Sequence, residues 1–426
     1  MTYTIQGSIR FPGDKSIAHR ALMIGAIAAG ETTIDHLPDG GDIQTTIDVL
    51  AALGVNFEQT GTHMTVHGQG GFHWQTPTAP LALNNSGTTT RLLLGLLACP
   101  PSTILLTGDQ SLSARPMERI AGPLRQMGTQ IATTEGHLPI QIHPVANLHG
   151  AHIHLTVASA QVKSGILFAG LQADSETTVT GPVHTRDHTE RLLAKAGANV
   201  VRQGLTVRIQ PQTTPLQPLT IDLASDFSTA AFWIVLATLL PDSQLQLPSL
   251  SLNPTRTTLL DILARMGGDF QVVDFPRTDV AEPMGTLQVR QQSLQSTIVD
   301  ATESARAIDE LPLLALAATQ AEGETVIQHI GELRVKESNR IAATETILQA
   351  AGAHIRQNGE NWLITGPTPL NIPQHWPLIM PDHRMAMLQI ATGLVAGAPV
   401  PTTVPNVVAV SYPELTYDLQ KLVQFR

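Results

Sequence analysis

Five times along this chain a helical stretch ends at a glycine and a strand-like run follows. The copies lie at 49–57, 124–131, 193–200, 263–270 and 348–355, with Gly54, Gly128, Gly197, Gly267 and Gly352 at the junctions. Such a glycine is what a helix needs at its C′ position, where φ is positive. The run after it alternates apolar and polar residues, as a half-buried strand does. The glycines recur at intervals of roughly 70 to 85 residues, longer than common solenoid periods, so each unit has room for several strands and two helices. A degenerate sixth copy is expected at 415–425, where the period places it. Leu-x-x-x-Gly helix ends occur in any α/β protein; the even spacing is what favours repetition. The expectation is an α/β (α+β) chain of repeated βαβαββ-like units, about three in each of two similar domains.

A chain of 426 residues is long for one hydrophobic core, which also argues for two domains. Hydrophobic residues at 42% and charged residues at 14% exclude a disordered chain. Aromatics are 4%, so Ala, Leu, Ile and Val must build the core. The apolar runs near 92–99 and 230–240 end at proline, are too short to span a bilayer, and read as buried helices. The amino-terminal stretch lacks the basic and apolar regions of a signal peptide. The single cysteine, Cys99, leaves no intramolecular disulfide. A cytoplasmic protein without a membrane partner is expected. The net charge of −10 excludes a basic nucleic-acid footprint. Only five lysines are present, and Lys15, Lys163 and Lys336 lie in short polar segments. An acidic chain that gathers its cations so suggests a local anion site, although lysines sit among polar residues generally.

In the segment 11–20, Gly13, Lys15 and Ser16 form a turn opening a helical run, where backbone N–H groups and a lysine can hold an anion. Arg20 falls one turn further and can face the same ligand. The Walker spacing is absent, and a capped helix with surface cations is the other reading. At 83–91, Asn85, Ser86 and Gly87 let the backbone approach a ligand closely, or form an N-capping loop. Arg115 precedes Pro116, which is expected to begin a helix and aim the arginine at a carboxylate or phosphate. Ser159, Gln161 and Lys163, around Ala160, interrupt an apolar passage, as a helix start or as a phosphate cradle of Ser159 and Lys163 with Gln161 against a ring. His184 and His188 have a zinc-like spacing but no third ligand, so Arg186 as an anion contact is preferred and no metal is expected.

In the remaining segments charges are embedded among apolar residues. Asp309 and Glu310 precede a core helix. Lys336 and Arg340, four apart, are expected to share a helix face, which requires an anion or carboxylate between them. Glu337 can be that carboxylate, its proton affinity tuned by its neighbours. Arg384 lies in a similar setting at 380–387. A solvated charged helix is the alternative for each.

Taken in order, several segments strongly resemble the 5-enolpyruvylshikimate-3-phosphate synthase family, over nearly the whole chain. They are Pro12-Gly13-Asp14-Lys15-Ser16 with His19-Arg20, Asn85-Ser86-Gly87-Thr88-Thr89-Thr90-Arg91, Arg115-Pro116-Met117, Arg334-Val335-Lys336-Glu337-Ser338-Asn339-Arg340 and Asp382-His383-Arg384-Met385-Ala386-Met387. The variants at 13–16, 159–164 and 185–190 resemble its second, bacterial class. The resemblance implies the enolpyruvyl transferase fold: two domains of three βαβαββ units, one spanning 13–226 and the other 1–12 plus 227–426. It implies shikimate 3-phosphate and phosphoenolpyruvate as substrates, bound in a cleft that closes around them, no metal or organic cofactor, and a monomer. By the same resemblance, Lys15, Ser16 and Arg20 hold shikimate 3-phosphate, with Arg20 on its carboxylate. Ser159 and Arg186 contact its phosphate, beside Ala160 and Lys163, and Gln161 lies over its ring. Arg115, Arg340 and Arg384 grip phosphoenolpyruvate, with Asn85 and the backbone at Gly87 alongside. Asp309 accepts the proton of the attacking 5-hydroxyl, Glu337 protonates the methylene carbon, and Lys336 steadies the charge. Lys15 completes that catalytic set.

Two positions depart from the first-class pattern. Ala160 stands where many members carry a second phosphate-binding serine, with Lys163 and Arg186 available to compensate. Val410 stands where the first class carries a lysine for phosphoenolpyruvate. Two other functions compete. The enolpyruvyl transferase acting on UDP-N-acetylglucosamine resembles this chain less, since its first motif has Lys-Asn and its mobile loop a reactive cysteine; here the pair is Lys15-Ser16, and Cys99 lies in an apolar run. A non-catalytic anion-binding protein of the same fold would have no need of Asp309, Lys336, Glu337 and Arg384 together.

Overall fold

The computed structural model describes residues 2–182, 185–274, 281–378, 382–409 and 411–426. The expectations at His184 and Val410 lie outside them. The chain divides into two compact units: Pro12–Leu223, and Ala224–Arg426 together with the residues up to Phe11.

Strand β1 (Tyr3–Ser8) opens the chain. The unit Pro12–Leu223 begins with α1 (Lys15–Ile27), β2 (Ala29–Asp35), α2 (Gly41–Ala52), β3 (Asn56–Thr60) and β4 (His63–Gln69). It continues through β5 (Leu81–Ala82), α3 (Gly87–Leu96), β6 (Ile104–Thr107), α4 (Gln110–Ser113), α5 (Glu118–Gln126), β7 (Gln130–Thr134) and β8 (His137–His143). It closes with β9 (His152–His154), α6 (Ala160–Gly170), β10 (Thr177–Thr180), α7 (His188–Lys195), β11 (Val200–Gln203), β12 (Thr206–Ile209) and β13 (Thr220–Asp222).

The other unit runs α8 (Phe227–Leu239), β14 (Gln244–Ser251), α9 (Thr258–Arg265), β15 (Asp269–Val272) and β16 (Met284–Arg290). There follow β17 (Ile298–Val299), α10 (Ala301–Arg306), α11 (Leu311–Thr319), β18 (Gly323–Ile327), a 3-10 turn at Gly331–Val335, α12 (Arg340–Ala350), β19 (His354–Asn358) and β20 (Asn361–Gly366). Helices α13 (His383–Val395), α14 (Asn406–Ala409) and α15 (Leu415–Leu422) lead to β21 (Val423–Phe425).

Five sets of four strands share one spatial order: β13-β2-β4-β3, β5-β6-β8-β7, β9-β10-β12-β11, β1-β14-β16-β15 and β17-β18-β20-β19. The first two strands of each set are parallel. A parallel pair needs a crossover, and helices supply it in the three sets whose first two strands follow one another in sequence. The last two strands of each order form an antiparallel hairpin. The five junction glycines all have positive φ, from 91° to 102°, the backbone that ends a helix and turns it into the hairpin.

Two copies borrow their first strand. The copy built on α1 takes β13 from the far end of its unit, pairing Thr220 with Thr33. The copy built on α8 takes β1, pairing Gln6 with Gln244. That exchange is why the second unit is discontinuous in sequence. The sixth copy is reduced: α15 passes into β21 without a glycine, and β21 adds to β1 antiparallel instead of founding a sheet of its own.

Helix α8 is buried almost throughout, with Phe227, Phe232 and Trp233 fully so, as a helix apolar on every face must be. Helices α3 and α6 touch backbone to backbone. A Cβ on Gly95 would fall 2.0 Å from the Gly165 carbonyl, so no larger residue fits. No described helix is long and apolar enough to cross a membrane.

Candidate active site

In the unit Pro12–Leu223 the expected residues gather at helix starts. Asp14 caps α1 by accepting from the Ile17 N–H, which places Lys15 and Ser16 in the first turn. Lys15 Nζ lies 2.8 Å from Asp42 of α2. Arg20 is 2% exposed. It donates to Thr189 Oγ1 at 2.6 Å, the Ser16 carbonyl at 2.7 Å and Ser164 Oγ at 2.9 Å. These partners are neutral oxygens, and they orient the buried guanidinium.

Ser159 caps α6, its hydroxyl accepting from the Val162 N–H. Gln161 accepts from Arg91 at 2.8 Å and donates to Thr88 at 2.9 Å, tying α6 to α3. Arg115 donates to Asn85 Oδ1 at 2.6 Å. A Cβ on Gly87 would come within 3.1 Å of an Arg115 terminal nitrogen, so that guanidinium lies against the glycine. Pro116 does not begin a helix; α5 starts at Glu118, and Arg115 sits in the connection after α4. Arg186 is half-buried just before α7. Lys163 differs from the open phosphate contact expected: its side chain has no exposed surface, and its ammonium pairs with Glu190 of α7 at 2.5 Å.

In the other unit, three cations converge on Asp309. Lys336 Nζ and Arg340 Nη1 lie 3.3 and 3.4 Å from its Oδ1, and Arg384 Nη2 lies 3.9 Å from its Oδ2. Arg384 also donates to the Asp309 carbonyl at 3.3 Å. Lys336 and Arg340 do not share a helix face. Asn339 caps α12, accepting from the Ala342 N–H, and Lys336 is extended backbone after the 3-10 turn. The cap starts the helix too late to include the lysine, and the two cations meet through Asp309 instead. Glu337 bonds Arg340.

Asp382 organises this side, and sequence reasoning passed over it. It accepts from Arg340 Nε at 2.9 Å and Ser338 Oγ at 2.9 Å, and caps α13 through the Arg384 N–H. Burial opposes its charge, but Arg340 outweighs that and holds the carboxyl below its usual range. Burial likewise opposes the Arg340 charge. Glu337, Asp382 and Asp309 outweigh it, so the guanidinium stays protonated at any ordinary pH. The signal for Asp382 was present: an Asp directly before an apolar helix. Arg256 was also missed, and with it the buried 2.9 Å pair it makes with Glu310, because nothing in the local sequence announces a long-range pair. Glu310 lies 4.0 Å from Arg384.

Cys99 is partly exposed, and burial raises its thiol pKa to about 11, so it stays protonated. Among the described residues no three His, Cys, Asp or Glu side chains are placed to hold a metal ion.

The family model described as EPSP synthase (3-phosphoshikimate 1-carboxyvinyltransferase) matches residues 2–419. The chain belongs to the EPSP synthase family. It is 43% identical to the 3-phosphoshikimate 1-carboxyvinyltransferase of Geobacillus kaustophilus, over 99% of this chain and 98% of that one. It is 41% identical to that of Listeria monocytogenes, over 98% and 97%. The EPSP synthase structure from Acinetobacter baumannii superposes with a TM-score of 0.85 at 36% identity, covering 100% and 98%. The enolpyruvyl transferase NikO from Streptomyces tendae, 18% identical, shares the fold with a TM-score of 0.74, covering 99% and 96%. As an EPSP synthase, the chain transfers the enolpyruvyl group of phosphoenolpyruvate to the 5-hydroxyl of shikimate 3-phosphate, releasing phosphate. That family membership decides against the UDP-sugar acceptor and against a non-catalytic protein.

Proposed function

We propose that the reaction's acid and base are Glu337 and Asp309. The observation that carries this reading is the convergence of Lys336, Arg340 and Arg384 on one carboxylate, Asp309. Phosphoenolpyruvate bears a carboxylate and a phosphate, and arginine forks match both groups. Arg340 and Arg384, with Arg115 beside Asn85 and Gly87, grip it. Lys15, Ser16 and Arg20 hold shikimate 3-phosphate, Arg20 on its carboxylate. Ser159 and Arg186 take its phosphate next to Ala160, and Gln161 lies over the ring. Lys163 supports that cradle from below through Glu190.

Glu337 gives a proton to C3 of phosphoenolpyruvate, which makes C2 electrophilic. The 5-oxygen attacks C2 as its proton passes to Asp309, and a tetrahedral phospho-ketal forms. The C2–O bond to phosphate then breaks as Asp309 passes its proton to the departing phosphate, and C3 returns a proton to Glu337, restoring the double bond. One acid and one base therefore serve both halves by exchanging roles. Lys336 and Lys15 stabilise the negative charge that moves through the reacting oxygens. We further infer a cytoplasmic monomer of the second, bacterial class, without nucleic-acid partners. A single cysteine suits a reducing compartment, and light scattering at micromolar concentration tests the monomer. Asp309→Asn and Glu337→Gln are each expected to lower kcat by about 10²–10⁴-fold while calorimetric binding of shikimate 3-phosphate persists. Near-wild-type kcat in either variant removes that residue from its role.

A further inference from the structure

His19 belongs to the same turn of sequence as Arg20, yet the reaction described above gives it nothing to do. Its side chain is fully buried. Nδ1 lies 2.7 Å from Thr46 Oγ1 of α2. Thr46 Oγ1 lies 2.7 Å from Thr89 Oγ1 of α3, which lies 2.6 Å from Ser86 Oγ. All three hydroxyl residues are buried, and Ser86 caps α3 by accepting from the Thr89 N–H. His19 Nε2 has no hydrogen-bond partner among the described residues.

Contact distances favour one direction for this chain. If Nδ1 accepts, Thr46 donates to it, Thr89 donates to Thr46 and Ser86 donates to Thr89, so every hydroxyl proton is used. If Nδ1 donates, the Thr46 proton must turn to the Asp42 carbonyl at 3.4 Å, a much longer contact, while Thr89 and Ser86 donate as before. The first arrangement uses only the contacts of 2.6 and 2.7 Å, and leaves the Nε2–H unmatched among the described residues. Burial is the main reason that the ring stays neutral; Lys15 and Arg20 add to it, while Asp42 and Asp14 oppose it.

The chain ends where Arg115 is seated. Ser86 stands between Asn85, which accepts from Arg115, and Gly87, against which Arg115 lies. Helix α2 braces the same turn a second time, since Asn84 Nδ2 donates to Thr45 Oγ1 at 2.9 Å.

We propose that His19 is a positioning residue for phosphoenolpyruvate: its Nδ1 terminates a chain of hydroxyls that fixes the Asn85–Gly87 turn and, through it, Arg115. This rests on the reading of Arg115 as a phosphoenolpyruvate contact. It commits the imidazole to a hydrogen-bond acceptor's task, with no proton transfer to substrate.

Steady-state kinetics with each substrate varied in turn, together with thermal midpoints, test it in full-length His19→Leu, His19→Asn, Thr89→Val and Arg115→Ala. His19→Leu and Thr89→Val each break a buried hydrogen bond at a different link, and are expected to raise the KM for phosphoenolpyruvate by about tenfold. The KM for shikimate 3-phosphate stays near the parent value. His19→Asn, whose Oδ1 can take the place of Nδ1, restores most of the loss. Arg115→Ala moves the same constant further. Parent KM values in Thr89→Val and His19→Leu, with only a lowered thermal midpoint, overturn the proposal. So does a His19→Asn variant no better than His19→Leu. If Arg115→Ala moves the shikimate 3-phosphate constant instead, the assignment of Arg115 fails. The relay then stands only if Thr89→Val and His19→Leu move that same constant, and falls if they do not.

Discussion

His19 shows what a single buried side chain contributes at the residue scale. Burial lowers its pKa from 6.5 to about 3, helped by Lys15 and Arg20 and opposed by Asp42. The unfolded chain therefore binds a proton below pH 6.5 that the folded protein refuses until about pH 3. The stability this group contributes is complete above the unfolded value and is lost as pH falls through that window. The slope reaches about 1.4 kcal/mol per pH unit where one proton separates the two states. Replacement by asparagine, which does not titrate, is expected to flatten the acid limb of the stability curve. Urea midpoints for the parent and His19→Asn at intervals from pH 7 downward check it; parallel curves would contradict it. Arg340 is the opposite case: burial works against its charge, and three carboxylates more than compensate.

At the scale of elements, α6 and α7 are locked by the Lys163–Glu190 pair, neither side chain having appreciable exposure. Removing one member leaves a buried charge alone. Lys163→Ala is thus expected to cost about 3–5 kcal/mol of unfolding free energy. The double change Lys163→Met with Glu190→Leu should recover most of that, since an apolar pair of similar volume avoids the desolvation cost. Chemical denaturation of the three proteins decides it, and an unshifted midpoint for Lys163→Ala would show that the pair holds nothing. These same elements mark what the sequence made legible. The repeat was readable because a positive-φ glycine at a helix end is a local requirement, and Gly54, Gly128, Gly197, Gly267 and Gly352 all meet it. Local signals also led to Asp309, Lys336, Arg340 and Arg384, but the path of the chain between them was misjudged. Lys336 was placed on a helix by its spacing from Arg340, whereas the Asn339 cap starts α12 after it. Glu190, Arg256 and Asp42 were invisible for another reason: their meaning lies in partners far along the chain.

At the scale of the whole molecule, the exchange of β1 and β13 makes one unit continuous and the other not. Pro12–Leu223 contains three complete βαβαββ sets, β13 included, with their sheets closed inside it. A fragment of residues 12–223 is expected to unfold cooperatively and to bind shikimate 3-phosphate without turnover. Calorimetry of that fragment checks both, and a non-cooperative melt would mean that it depends on the rest of the chain. Turnover needs the carboxylates of the other unit, and the chemistry assigned to them leaves an isotopic record. If Glu337 protonates C3, the tetrahedral intermediate carries a methyl group, and elimination removes one of its three hydrogens. The most direct test is to run the complete enzyme in deuterium oxide with both substrates and examine the product's vinyl protons by NMR. The account predicts deuterium at C3 of the product from the parent enzyme and negligible product from Glu337→Gln under the same conditions. Product formed at the normal rate with no deuterium at C3 would contradict it.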